Sequence, residues 1–375
     1  MKIAIVHDWL VNYMGSERCV ESFTNIWKDA DVFTLVDFLT DEEREIILKG
    51  KKANTSIIQK LPFAKKLHRN YFPFFPYAIE QLDVSNYDVI ISSSHSFAKG
   101  VITSANQLHI SYCHTPIRYA WDLYHQYIDE AGLKTGIRGI LAKKFLHYIR
   151  IWDFTTRNRV DYFVANSSHI ARRIKKVYDK PADVIYPPVD IDKFSLVEKK
   201  EDYYLTAARF VPYKKIVLIV EAFSKMPDKK LIVIGDGPEE KKIKQIASSN
   251  IKFAGYVEKN KLIEYMQNAK AFIFAAEEDF GITNVEAQAC GTPVIAYKVG
   301  GASDTIVHNK TGYLFSRQNP EAIINAVAEF ENNESKFIPK EISKHAEKFS
   351  RSIFEANIKN YVLEKANSFF NQPKY

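Results

Sequence analysis

Two glutamates with seven residues between them, Glu278 and Glu286, lie in the stretch Ala275–Ala296, AAEEDFGITNVEAQACGTPVIA. The apolar run before it reads as a buried strand, so Glu278 falls in the loop that leaves the strand. Gly281 lets the backbone come close to a ligand. A helix is expected to start near Thr283, and the unpaired N–H groups around Ile282 and Thr283 favour a phosphate. Glu286 then lies about one turn into that helix. One carboxylate can accept hydrogen bonds from a sugar and the other from a ribose, with a diphosphate between them. Glu-x7-Glu alone is a common chance spacing; the context GxxxxEAxACGTPVIA makes it specific.

The elements that must position these groups are legible around them. In the second half, β-branched apolar runs alternate with charged stretches of helical period. Strands are predicted at Tyr203–Arg209, Leu231–Ile234, Ile251–Val257, Ala271–Ala275 and Pro293–Tyr297. Helices are predicted at Lys215–Met226, Leu262–Ala269 and Thr283–Ala289. This alternation means βαβ units, a parallel sheet and an α/β fold. The first half is less regular, with strands predicted at Lys2–Val6, Val89–Ser92, His109–Cys113 and Tyr162–Ala165. Pro187-Pro188 and the charged segment after it mark a boundary. The domains are expected at 1–188 and 200–350, with a helix at 351–375 that crosses back to the first.

The chain has 375 residues, enough for two cores, and a formal net charge of +7. A mild basic excess suits an anionic surface or an acidic substrate. Cys19, Cys113 and Cys290 are too scattered for a disulfide framework or a zinc site and fit a reducing compartment. The opening MKIAIVHDWL lacks the apolar length of a secretory signal. Location in the cytoplasm, with peripheral attachment to the inner face of a membrane, is expected.

Several segments together resemble family 4 of the retaining GT-B glycosyltransferases. They are MKIAIVHDWL, ISYCHTPIRYAWD, ANSSHIARRIKKVY, AARFVPYKK, VIGDGPE, FAGYV and the Glu-x7-Glu block. The resemblance implies two Rossmann-like domains facing a central cleft, with the nucleotide-sugar donor bound by the C-terminal one. It implies that Glu278 contacts the donor sugar, Glu286 the ribose, and Arg209 and Lys214 the diphosphate. Two fixed cations there would stabilise the charge that grows on the leaving group. Gly15 matches the glycine loop after the first strand, and His114 a histidine lining the reaction centre. Tyr256 and Val257 would lie near the nucleobase. Ser16 stands where relatives often have a second glycine, and Asn284 where they often have proline.

The version with HDWL and CHTPIRYAWD is similar to bacterial enzymes of O-antigen, capsule and exopolysaccharide assembly. The expectation is therefore hexosyl transfer, from GDP-mannose, to a glycan or lipid-linked acceptor. Neither a cofactor nor a metal is expected. Two rivals are a nucleotide-sugar epimerase or hydrolase of the same fold and a silent nucleotide-sugar-binding protein.

Other signals carry less. Gly235-Asp236-Gly237 lacks the third glycine of a dinucleotide fingerprint and reads as a tight strand–helix turn. Asp29-Ala30-Asp31 and Asp190-Ile191-Asp192 are DxD patterns expected by chance. Phe63–Tyr77 interleaves Lys65, Lys66 and Arg69 with Phe72, Phe74, Phe75 and Tyr77, and Ile137–Ile151 reads as a basic amphipathic helix. Both suit an anionic inner-membrane surface, or equally a domain core with a solvated basic face. No nucleic-acid-binding module appears.

Overall fold

A computed structural model describes residues 1–371. The chain forms two compact units. The first contains residues 1–188 and the chain from Phe354 onward; the second contains Val189–Ile353.

The first unit is built on seven strands: β1 (Ile3–His7), β2 (Asp31–Thr34), β3 (Asn54–Thr55), β4 (Val89–Ser94), β5 (Leu108–Cys113), β6 (Tyr162–Ala165) and β7 (Ala182–Val184). All neighbours are parallel, in the order β3-β2-β1-β4-β5-β6-β7. A parallel sheet covered on both faces wants apolar residues at nearly every position. β1 obeys this: Ile3 and Ile5 join one core, while Ala4 and Val6 join another on the opposite face.

The second unit has six strands: β8 (Tyr204–Ala207), β9 (Leu231–Ile234), β10 (Ile251–Gly255), β11 (Ala271–Phe274), β12 (Val294–Tyr297) and β13 (Gly312–Phe315). They too are parallel, in the order β10-β9-β8-β11-β12-β13. In both sheets the order reverses at one place, between β1 and β4 and between β8 and β11. Adjacent connections there leave to opposite sides, opening a crevice at the strands' carboxyl ends.

The last helix, Arg351–Phe370, carries Phe354, Ile358, Val362 and Ala366 four residues apart on one stripe. All four are buried in the core of the first unit. Phe354 packs its ring against Phe23 and Tyr112.

Several elements differ from the sequence expectation. β8 ends at Ala207, so Arg209 lies beyond the strand. β2, β3, β7 and β13 are only two to four residues long and too short to show a period. Within Phe63–Tyr77, Phe75 is core while Phe74 and Tyr77 are exposed. The helix predicted at Ile137–Ile151 runs over Gly136–Thr156, and it is not amphipathic in the ordinary sense. Its buried face holds Leu146, Ile149 and Trp152, but its exposed face is also largely apolar.

The final helix yields a test. Phe354→Ala should cost about 3–5 kcal/mol of stability in urea unfolding, because a fully buried ring is lost. Leu363→Ala, on the exposed side of the same helix, should change it by about 0.5 kcal/mol or less.

Candidate functional site

In the second unit Arg209 and Lys214 lie in the segment that follows β8, and Glu278 and Gly281 in the loop that follows β11, beside the reversal of strand order. Arg209 is exposed two residues past the end of β8. The chain then makes a short 3-10 turn, Pro212–Lys214, and Lys215 takes a left-handed φ of 59° before the helix Ile216–Ser224. That turn aims Lys214 at the loop after β11, where its ammonium pairs with the Glu278 carboxylate. Both side chains are about a fifth exposed (23% and 19%), so water or a ligand can reach the pair.

Four glycine contacts fix these loops. A Cβ on Gly235 would lie 2.0 Å from the carbonyl oxygen of Ala208, and one on Gly237 2.6 Å from that of Phe210. Phe210 N–H donates to the Asp236 carbonyl at 2.6 Å, and Glu239 N–H donates to the Phe210 carbonyl at 3.1 Å. The Gly235-Asp236-Gly237 turn therefore grips the backbone on both sides of Arg209. After β12, a Cβ on Gly300 would meet the Glu278 carbonyl oxygen at 2.4 Å, and one on Gly301 would meet Phe280 Cα at 2.3 Å. Gly301 N–H donates to the Glu278 carbonyl at 2.8 Å. The VGG at the end of the β12 segment was the sequence signal for this contact, but nothing local says what the glycines face.

The helix at the heart of the motif runs over Ile282–Ala289, with Gly281 as its N-cap at φ 85°. Ile282 and Thr283 are half-buried at its first turn, and Glu286 is largely buried further along. Asn284 is fully buried. Among the described residues its side-chain Nδ2 and Oδ1 have no hydrogen-bond partner. Gly255, the last residue of β10, takes a φ of 67° and its carbonyl accepts from Gly235 N–H at 2.9 Å. Tyr256 follows with 78% of its surface exposed, and Val257 is half-buried.

The other predicted residues belong to the first unit. Gly15 begins the helix Gly15–Ile26, where the Glu17 carboxylate accepts from Met14 N–H at 3.1 Å and Ser16 Oγ at 3.0 Å. His114 follows β5, its Nε2 2.9 Å from Ser93 Oγ, and Asn166 holds its backbone carbonyl at 3.0 Å. Asp8, just past the end of β1, is an anchor for the loop after β4. Its buried carboxylate accepts backbone N–H from His95 (2.7 Å), Ser96 (3.1 Å), Phe97 and Ala98 (2.8 Å), and lies 3.0 Å from His95 Nδ1. Burial pushes this carboxyl up, but the charge and hydrogen bonding of His95 overcome it and hold Asp8 well below the usual range.

Among the described residues no group of three or more His, Cys, Asp or Glu is placed to hold a metal ion. The DxD patterns have structural duties. Asp190 pairs with Arg351 at 2.7 Å, and Asp31 accepts from the Tyr87 hydroxyl at 2.7 Å.

Two tests follow from this geometry. Gly301→Ala should destabilise the second unit by about 1–3 kcal/mol in thermal unfolding, since the added methyl must displace the 278–280 backbone. The histidines should titrate in opposite directions. Burial, then the charges of His95 and His7, push His114 down to about 3. Burial also pulls on His95, but the Asp8 carboxylate wins and raises it above its ordinary 6.5. The stability from His95 is thus complete below pH 6.5 and lost as pH rises through its folded value. That from His114 is present above pH 6.5 and lost as pH falls towards about 3. Side-chain NMR should show His95 protonating above pH 6.5 while His114 stays neutral far below it.

Comparison with known proteins is consistent along the whole chain. Residues 15–193 match the family model Glycosyltransferase Family 4, and residues 189–352 match Glycosyl transferases group 1. An uncharacterized glycosyltransferase of Methanocaldococcus jannaschii is 24% identical over 340 residues, 88% of each chain. The GDP-mannose-dependent monoacylated alpha-(1-6)-phosphatidylinositol monomannoside mannosyltransferase of Corynebacterium glutamicum is 30% identical over 178 residues, 39% of this chain and 47% of its own. The Anabaena protein HepE, solved in complex with UDP, has the same fold, with a TM-score of 0.67 and 15% identity over 97% of this chain and 100% of its own. With two parallel-sheet Rossmann-like units and both glycosyltransferase models matched in order, the chain belongs to the GT-B glycosyltransferases of the family 4 type.

Proposed function

We propose that the protein transfers a mannosyl group from GDP-mannose, with retention of configuration, to a glycan or lipid-linked acceptor in surface polysaccharide assembly. The observation that carries this reading is the ion pair of Lys214 with Glu278, which joins the loops after β8 and β11, with the exposed Arg209 on the first loop and the helix start at Gly281 on the second. A nucleoside diphosphate is a leaving group whose charge grows as the glycosidic bond breaks. Arg209 and Lys214 would stabilise that charge, and the N–H groups around Ile282 and Thr283 would add partial positive charge. Glu278 would accept hydrogen bonds from the sugar hydroxyls, giving up its pairing with Lys214 to a phosphate, while Glu286 would hold the ribose. Such a site needs neither a cofactor nor a metal ion.

Retention follows if the acceptor attacks from the side the diphosphate leaves. The C1–O bond to the diphosphate breaks, a C1–O bond to the acceptor forms on the same face, and the acceptor proton passes to the departing phosphate. His114, neutral in this environment, would serve as a hydrogen-bonding group on the acceptor side. The Corynebacterium relative, named as GDP-mannose-dependent, supports guanine and mannose, while HepE was solved with UDP. A lipid-linked acceptor would place the work at the cytoplasmic face of a membrane.

The test is a calorimetric titration of the protein, without metal, against GDP, UDP and their common sugar conjugates. GDP and GDP-mannose should bind, and Arg209→Ala should weaken them about ten-fold or more, as expected for a lost charge-assisted hydrogen bond. A preference for UDP would replace the donor; failure of every nucleotide to bind would overturn the reading.

A further inference from the structure

The helix Gly136–Thr156 has a second face that the fold does not use. Leu146, Ile149 and Trp152 point into the first unit's core. On the opposite side, Ile137, Ile140, Leu141, Lys144, Tyr148 and Ile151 recur three and four residues apart and form one outward stripe. All six are exposed, Ile137 to 78% and Leu141 to 61%. Five of the six are apolar or aromatic, an arrangement that water alone does not favour over so long a run.

Along the helix itself the exposed charge has one sign, and the exposed Asp129 before it is paired with Lys134. No Asp or Glu occurs between residues 131 and 152, whereas Arg138, Lys143, Lys144 and Arg150 fall within the helix. The helix's one acid, Asp153, is buried and paired with Lys99 at 2.9 Å. The neighbouring segment continues the pattern. Phe72 packs against Phe145 of the helix with ring centres 5.2 Å apart, so the two segments are in contact. Residues 63–79 also lack any acid, and Phe63, Leu67 and Phe74 are exposed among Lys65, Lys66 and Arg69. Phe63 holds a left-handed φ of 56°, unusual for a bulky residue, with its ring 78% exposed.

We infer that this face docks on an anionic lipid surface, with the helix lying in the plane of the interface. Exposed aliphatic and aromatic side chains beside cations are what the headgroup boundary accepts. The like charges argue against a second copy of the chain as the occupant, since two such faces would bring Arg138 and Lys144 against their own kind. Among the described residues no helix is long and apolar enough to cross a membrane, so the attachment is to the surface. The inference rests on the lipid-linked acceptor proposed above only for its purpose; the surface itself is argued from these side chains.

The test is co-sedimentation of the full chain with vesicles of phosphatidylcholine alone and of phosphatidylcholine mixed with phosphatidylglycerol. Binding to the anionic vesicles, weakened by added salt, is expected. Lys144→Glu should weaken it about five-fold or more, the worth of one cation near such a surface. The triple variant Ile137→Ser, Leu141→Ser, Ile151→Ser should weaken it at least about ten-fold. These positions are exposed, and unchanged thermal unfolding would show that the variants still fold. No binding to anionic vesicles, or equal binding by the variants, overturns the proposal. A dimer in light scattering that the triple variant splits would assign the face to a second copy and also overturn it. GDP and UDP titrations of the same proteins without vesicles read the donor site separately, so failure of one reading is not mistaken for failure of the other.

Discussion

The second unit depends on backbone lying directly against backbone at the carboxyl ends of its strands. The Gly235 and Gly237 turn touches residues 208–210, and Gly300 and Gly301 touch residues 278–280, at separations where a Cβ would overlap main-chain atoms. Side chains between these loops would push them apart by several ångströms. Without them, the loop after β8 is clamped by the turn after β9, and the loop after β11 by the turn after β12. Lys214 and Glu278 then arrive within ion-pairing distance although they are far apart in sequence.

Two charged groups, one in each unit, differ in their access to water. Asp8 is sealed from water and satisfied by four backbone N–H groups, so it cannot exchange partners without unfolding the loop after β4. The Lys214–Glu278 pair is partly exposed, and such pairs contribute little to stability, about 0–1 kcal/mol. A pair of that kind can trade its internal contact for a ligand at small cost. Rigid anchoring by Asp8 and exchangeable pairing at Lys214 are thus two settings of the same electrostatics, chosen by solvent access.

Two helices of the first unit show how burial, not composition alone, decides a helix's role. Arg351–Phe370 offers a narrow stripe of four side chains to the core and keeps a mixed polar surface. Gly136–Thr156 satisfies the core with one face and still presents aliphatic side chains outward among cations. The first helix is explained by the fold; the second needs a further environment.

The sequence by itself determined what depends on local pattern. Alternating apolar runs and helical stretches specify parallel α/β units, and Pro187-Pro188 marks where the first stretch of chain ends. Glu278, Gly281 and Glu286 can be placed on a loop and a helix start from spacing alone, because strand end, glycine and helix N-terminus are neighbours in the chain. The structure decided what depends on distant partners. Asp8 meets residues 95–98, Gly301 meets Phe280, and Lys214 meets Glu278, none of which periodicity can pair. The short strands β2, β3, β7 and β13 form because a neighbouring strand supplies their hydrogen bonds, not because their own residues show a period. Helical period predicts a helix at Ile137–Ile151, yet which of its two apolar faces is covered depends on the rest of the unit packing on one of them.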